Sequence, residues 1–120
     1  MNNIAFRYVY QEIQTKKIKI VRFSFLNVYN GIARKHTNGM CNHRLLTVDR
    51  DTLTKDKSGK TIFENDILND GENDFVAVLD EDFGFYKAAP IDEEGVIIQG
   101  ACKQVDDFPM MEITGNIHKI

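Results

Sequence analysis

A chain of 120 residues, 42% hydrophobic and 28% charged, has enough apolar surface for one folded core and is short for two ordinary ones, which excludes wholesale disorder. No apolar run approaches the roughly 20 residues of a membrane-spanning helix, and the start "MNNIAFRYVYQE" lacks a cationic stretch leading into an apolar core, so no secretory leader is expected. The net charge of −3 conceals a polarity: residues 1–60 carry 12 Lys/Arg against 4 Asp/Glu, and residues 61–120 carry 3 against 14. Such an imbalance points to a charged partner surface, or to the basic half lying against the acidic half within or between chains. Cys41 and Cys102 stand far apart and read as reduced, buried thiols.

In chain order, "IAFRYVY" alternates with a period of two, placing Ile4, Phe6, Tyr8 and Tyr10 on one face of a strand and Ala5, Arg7 and Val9 on the other. "QTKK" is a hairpin connection. "IKIVRFSFLNVY" (residues 18–29) is rich in β-branched and aromatic residues and reads as a second strand with a bulge near Val21–Arg22. Asn30-Gly31 is a turn. Residues 33–43 are polar and turn-rich and read as a loop, followed by a short strand over "RLLTVD" (44–49). Residues 75–80 and 83–88 form a hairpin, "VIIQGA" (96–101) a further strand, and "MMEITGNIHKI" a last one broken at Gly115-Asn116. No stretch shows sustained helical periodicity. Short strands separated by turns predict a mostly-β fold, a small barrel or roll.

Several spacings imitate functional motifs. Gly59-Lys60-Thr61 is the tail of a phosphate loop, but Thr54 stands where the first glycine is needed and no helix pattern follows. The stretch "DKSGKTIFENDIL" is therefore a hairpin turn, and no nucleotide binding is expected there. Asp70, Glu72, Asp74 and Glu81 fall at the first, third, fifth and twelfth positions of a Ca²⁺ loop, yet Phe75 replaces the glycine of the sixth and the flanks read as strands. His36, Cys41 and His43 offer three zinc-type donors without a Cys-x-x-Cys anchor. Neither motif amounts to a metal site, and no cofactor and no catalytic constellation is expected. Arg7, Lys16, Lys17, Lys19 and Arg22 lie near Phe6, Tyr8, Phe23 and Phe25. They would make a single-strand-binding face if the rings were free to stack, and a solvated flank of a core if they were not.

"DKSGKTIFENDIL" also resembles the signature of the YopX-like family of phage and prophage proteins, through Asp56, Gly59, Lys60, Ile62, Glu64, Asp66 and Ile67. Asn65 occupies a family glycine position, and asparagine tolerates the left-handed conformation. "EITGNIHKI" resembles the family's closing segment through Ile113, Gly115, Asn116 and Ile117, and "IAFR" its opening, although Val9 replaces an expected tryptophan. The resemblance implies an SH3-like barrel over residues 50–120 with an added N-terminal β segment over 1–49, a phage context and no known reaction.

These readings converge on one domain over residues 1–120 that is a non-enzymatic phage or prophage accessory protein. It is expected in the cytoplasm of the host bacterial cell, off the membrane, as a homo-oligomer, binding a host or phage macromolecule and countering host defence. The expected partner surface is acidic: Asp70, Glu72, Asp74, Asp80, Glu81 and Asp82, where crowded carboxylates gain little from folding. The alternative is nucleic-acid binding by the basic half, through Lys16, Lys17, Arg34 and Lys35. Gly115 is expected to need glycine's freedom at the kink of the last strand.

Overall fold

The computed structural model describes residues 4–120. It is mostly β, with antiparallel pairing throughout. The chain divides into two compact units, Met1–Arg50 and Asp51–Ile120.

In the first unit, β1 (Ala5–Glu12) pairs with β2 (Ile18–Ser24) in unbroken register from Ala5↔Ser24 to Gln11↔Ile18. The "QTKK" connection forms the turn, with Lys16 at a φ of +63°. The bulge expected near Val21–Arg22 is not there. The irregularity lies instead where β1 meets β3 (His43–Lys55), because Val9↔Thr47 is followed by Tyr10↔Leu45 and leaves Leu46 as the extra residue. Val9, at the family's tryptophan position, is fully buried.

The strand read over residues 18–29 stops at Ser24. That residue holds an extended conformation and its hydroxyl accepts the Asn27 N–H at 3.2 Å, so it caps a short helix, α1 (Phe25–Tyr29). A capping hydroxyl outweighs the strand propensity of aromatic side chains. Asn30-Gly31 is the expected turn, but it joins two helices, with Gly31 at +81° leading into α2 (Ile32–Asn38). A helix thus replaces the first part of the loop expected over residues 33–43. It buries Ala33 and no other residue, so it carries no periodic signal. It is anchored on the aromatic face of the sheet. The Tyr10 and Thr37 hydroxyls are 2.8 Å apart, Thr37 donates in turn to the Ala33 carbonyl, and the His36 ring lies 5.4 Å from Phe23 and 5.9 Å from Tyr10.

In the second unit the last residues of β3 pair with β4 (Thr61–Phe63), with an interruption between Asp51 and Lys55. There Leu53 takes a φ of +64° and the Thr52 hydroxyl donates to the Ile62 carbonyl. The strands β5 (Asp66–Asn69), β6 (Asp74–Asp80), β7 (Phe85–Pro90), β8 (Lys103–Gln104) and β9 (Glu112–Asn116) form a five-stranded sheet in the order β8-β7-β6-β5-β9. The hairpin of β6 and β7 is as expected. The sheet is open, since β8 and β9 do not pair with one another.

Both of its faces are covered, which is why "FVAV" reads as a continuous apolar run. Phe75 and Ala77 join Ile62, Leu68, Ala88, Phe108 and Met111 in one core, and Val76 joins Ala89 and Ile91 in another. Phe108 is delivered by a 3₁₀ helix, Val105–Met110, whose Gln104 and Asp107 close a capping box. The strand expected over residues 96–101 does not form. Its pairing is reduced to a single bridge, Ile91↔Ile97.

The irregularity of the last strand is a bulge, with Ile67↔Gly115 followed by Leu68↔Ile113 and Thr114 as the extra residue. Gly115 has no positive φ, and an added Cβ would meet nothing within 4 Å. The expectation that it needs glycine's freedom is therefore corrected. The left-handed residue in this region is Asn65, at +69°. Asn65→Val is expected to cost about 1–2 kcal/mol, since a β-branched residue is strained there. Gly115→Val is expected to shift the melting temperature by no more than about 3 °C, for a change below about 0.5 kcal/mol. Thermal melts of both variants check the ranking, and a larger loss at Gly115 would refute it.

Candidate functional site

Asp56 opens the turn that imitates a phosphate loop. Its carboxylate is almost wholly buried and accepts the N–H groups of Ser58 and Lys60 at 2.9 Å and that of Ile113 at 3.0 Å. Gly59 sits at a φ of +84°, and the chain continues into β4 rather than a helix. The amides that would have to cradle a phosphate are thus spent on an internal carboxylate, and the turn is structural. Asp66 is likewise buried and accepts the Phe63 N–H at 2.8 Å. The signature residues of the family resemblance hold the second unit together.

The six acidic candidates do not form one patch. Asp70, Glu72 and Asp74 lie at the start of β6, Asp74 being its first residue, and Asp80, Glu81 and Asp82 at its far end. Six steps of about 3.4 Å separate the two groups by roughly 20 Å. Asp70 accepts the N–H groups of Glu72 and Asn73 at 2.9 and 2.8 Å, which folds the supposed Ca²⁺ loop into a tight turn. These bonds, with Lys103 nearby, hold its carboxyl below the usual carboxylate range. Asp74 accepts from the Asn69 amide at 2.9 Å. At the other end Asp80 accepts the Asp82 N–H at 3.1 Å and lies 3.4 Å from the Lys87 ammonium, while Glu81 and Asp82 are exposed.

The first group borders a cleft. This cleft, of about 470 Å³, is lined by Asp70, Glu72 and Asp74, by the apolar Phe75, Pro90, Ile91 and Ile98, and by residues 99–103. Its volume falls within the range of ligand sites. An added Cβ on Gly100 would come within 3.2 Å of Pro90 Cγ, so the glycine lets this segment lie close against β7. Lys103 reaches over the cleft, its ammonium 3.8 Å from an Asp70 carboxylate oxygen and 5.9 Å from the Phe75 ring centre. Sequence reasoning missed Lys103. The signal was present, because it is one of only three Lys/Arg in residues 61–120.

Of the basic candidates, Lys16 and Lys17 lie in the β1–β2 turn and Arg34 and Lys35 on α2, all exposed. Two of the four proposed stacking rings are engaged in packing. Phe23 is buried, Tyr8 packs edge-on against it at 5.1 Å, and Arg7 is drawn into an ion pair with the buried Asp49 at 2.8 Å. Phe25 and Tyr29 remain exposed, stacked at 6.2 Å. His36 packs between rings and Cys41 is exposed, which corrects the expectation of a buried thiol there. Cys102 is half-buried and both thiols are free. Among the described residues no group of three or more His, Cys, Asp or Glu is placed to hold a metal ion.

Fold and signature turn together define a mostly-β protein whose sequence hallmarks are structural. A family model described as YopX protein matches residues 6–119, and the chain belongs to that family. A search of curated proteins found no match. The family points to phages and prophages and carries no assigned reaction. Among the described residues no helix is long and apolar enough to cross a membrane.

Proposed function

We propose that the protein is a non-enzymatic phage or prophage accessory protein that binds a host or phage macromolecule through the acidic cleft of its second unit. The carrying observation is that Asp70, Glu72 and Asp74 line an open cleft together with Phe75, Pro90, Ile91 and Ile98. Such a surface suits a cationic protein partner, because opposite charges steer the encounter while apolar contact holds it. A component of host defence fits that description, met in the bacterial cytoplasm. The same reading takes the second unit as an SH3-like roll, supported by five antiparallel strands and a 3₁₀ helix leading into the last. It also takes the chain to self-associate, its opposite charges complementing one another between copies.

A second reading, nucleic-acid binding by the first unit, is favoured by the exposure of Lys16, Lys17, Arg34 and Lys35. Pull-down from host lysate, with and without nuclease, separates the two. Reversing Glu72 and Asp74 to lysine is expected to abolish capture of a nuclease-resistant partner, and reversing Glu81 and Asp82 to leave it. Capture lost on nuclease treatment, or on reversing the four basic residues instead, would overturn the acidic reading.

A further inference from the structure

The side of the cleft formed by residues 99–101 is main chain without a partner among the described residues. Among the described residues no hydrogen bond reaches the main chain of Gln99, Gly100 or Ala101. Just before it, the Ile98 N–H bonds the Pro90 carbonyl at 2.9 Å, and just after it β8 pairs with β7 for two residues. The sequence here, "VIIQGA", has strand propensity, yet Val96, Ile97 and Ile98 are about half exposed and the strand is absent. Main-chain groups left unpaired beside exposed branched side chains can receive another strand once the bend at Gln99 and Gly100 straightens.

Three carboxylates line the same cleft as these main-chain groups, and a cation already sits beside one of them. Lys103 places its ammonium by Asp70 and over the Phe75 ring, the two contacts that would receive a basic side chain of a guest.

We propose that the cleft takes an extended basic segment of a partner protein, which pairs its backbone with residues 99–101 and sets a lysine or arginine against Asp70, Glu72 and Asp74 in place of Lys103. The proposal rests on the acidic-cleft reading above and specifies the chemistry of its partner. Main-chain bonds supply affinity in such strand addition, and alternate side chains supply selectivity. Lys103 acts as an internal competitor, excluding guests that bring charge without a strand.

The test uses the full chain and synthetic probes: a capped Lys-Val-Lys-Val-Lys peptide, the same peptide N-methylated at alternate amides, its Glu-Val counterpart, spermine and single-stranded oligo-dT. Calorimetric titration gives affinity and amide hydrogen exchange gives location. The Lys-Val peptide is expected to bind and to slow exchange at Gln99 and Ala101. N-methylation should weaken it at least tenfold, and the Glu-Val peptide and oligo-dT should not bind. Asp70→Asn with Glu72→Gln and Asp74→Asn keeps the turn-forming acceptors and should also weaken binding at least tenfold. Lys103→Met should tighten it severalfold. Glu81→Gln with Asp82→Asn should change it less than twofold.

Equal binding of the plain and N-methylated peptides, or spermine binding as tightly as the peptide, overturns strand addition while leaving an acidic docking surface. Slowed exchange at the β1–β2 turn or on α2 of a second copy, in place of Gln99 and Ala101, also overturns it. Loss of all peptide binding alongside capture that survives Glu72 and Asp74 reversal overturns both readings.

Discussion

Removing either partner of the Arg7–Asp49 pair is expected to destabilise the protein by about 3–5 kcal/mol, the usual cost of breaking a buried ion pair by deleting one side. The two residues stand directly opposite in the β1–β3 register, 2.8 Å apart, with the Asp49 side chain wholly out of water and that of Arg7 nearly so. An exposed pair of the same geometry would contribute less than about 1 kcal/mol, so burial decides the size of the effect. Replacing both at once, Arg7→Met with Asp49→Leu, removes the charges together and is expected to recover most of the loss. Urea melts of the two single variants and the double form a closed cycle. Single losses below about 1 kcal/mol, or a double variant as weak as the sum of the singles, would show that the pair is not a buried unit.

Asp56 is the second site of large effect. Its carboxylate answers three backbone N–H groups, two in its own turn and one on β9. Asp56→Ala leaves all three without their acceptor, at an expected cost of about 3–4 kcal/mol, and Asp56→Asn, which keeps one acceptor oxygen, about 2 kcal/mol. Burial by itself would raise the pKa of this carboxyl. The bonds from Ile113, Lys60 and Ser58, with the Lys60 charge, outweigh it and hold the pKa below the ordinary value. A folded-state pKa lower than the unfolded one gives stability that is fully present above the unfolded value, about 3.9, and is lost as pH falls through the folded one. The gap between wild type and Asp56→Asn is therefore expected to be widest from about pH 5 upward and to narrow toward about pH 2. Thermal melts across that range check it. A gap independent of pH would mean that the ionised carboxylate contributes no more than its neutral form.

Much of this was legible in the residues. The alternation of "IAFRYVY", the hairpin of β6 and β7 and the turn at Asp56–Lys60 follow from local pattern, because each is decided by neighbours in sequence. The two helices were not legible. α1 is aromatic and five residues long, and it exists because Ser24 offers a cap at the right place. α2 buries a single alanine, so nothing in its pattern distinguishes it from a polar loop. The strand read at residues 96–101 failed in the opposite way: its propensity is real, but a strand needs a partner and the chain supplies only one bridge. The acidic site was half legible. Composition finds the six carboxylates, but only the path of residues 99–103 shows that three of them line a cleft and that a lysine lies across it.

The bonds that complete the second unit also constrain when it can form. Asp56 waits for an amide 57 residues further on, and the Thr114 hydroxyl reaches a carbonyl 47 residues back. Phe108 and Met111, which fill the larger core, arrive just before that last strand. The β1–β2 hairpin, by contrast, closes within twenty residues. During synthesis the first hairpin can zip as soon as it clears the ribosome, whereas the acidic unit stays unfinished until its last strand emerges. Non-local closure of this kind is slow, and for that interval the "FVAV" strand has its apolar faces open to whatever is nearby. The acidic residues at both ends of β6 then serve as charged gatekeepers that keep a late-folding strand from pairing with the wrong chain.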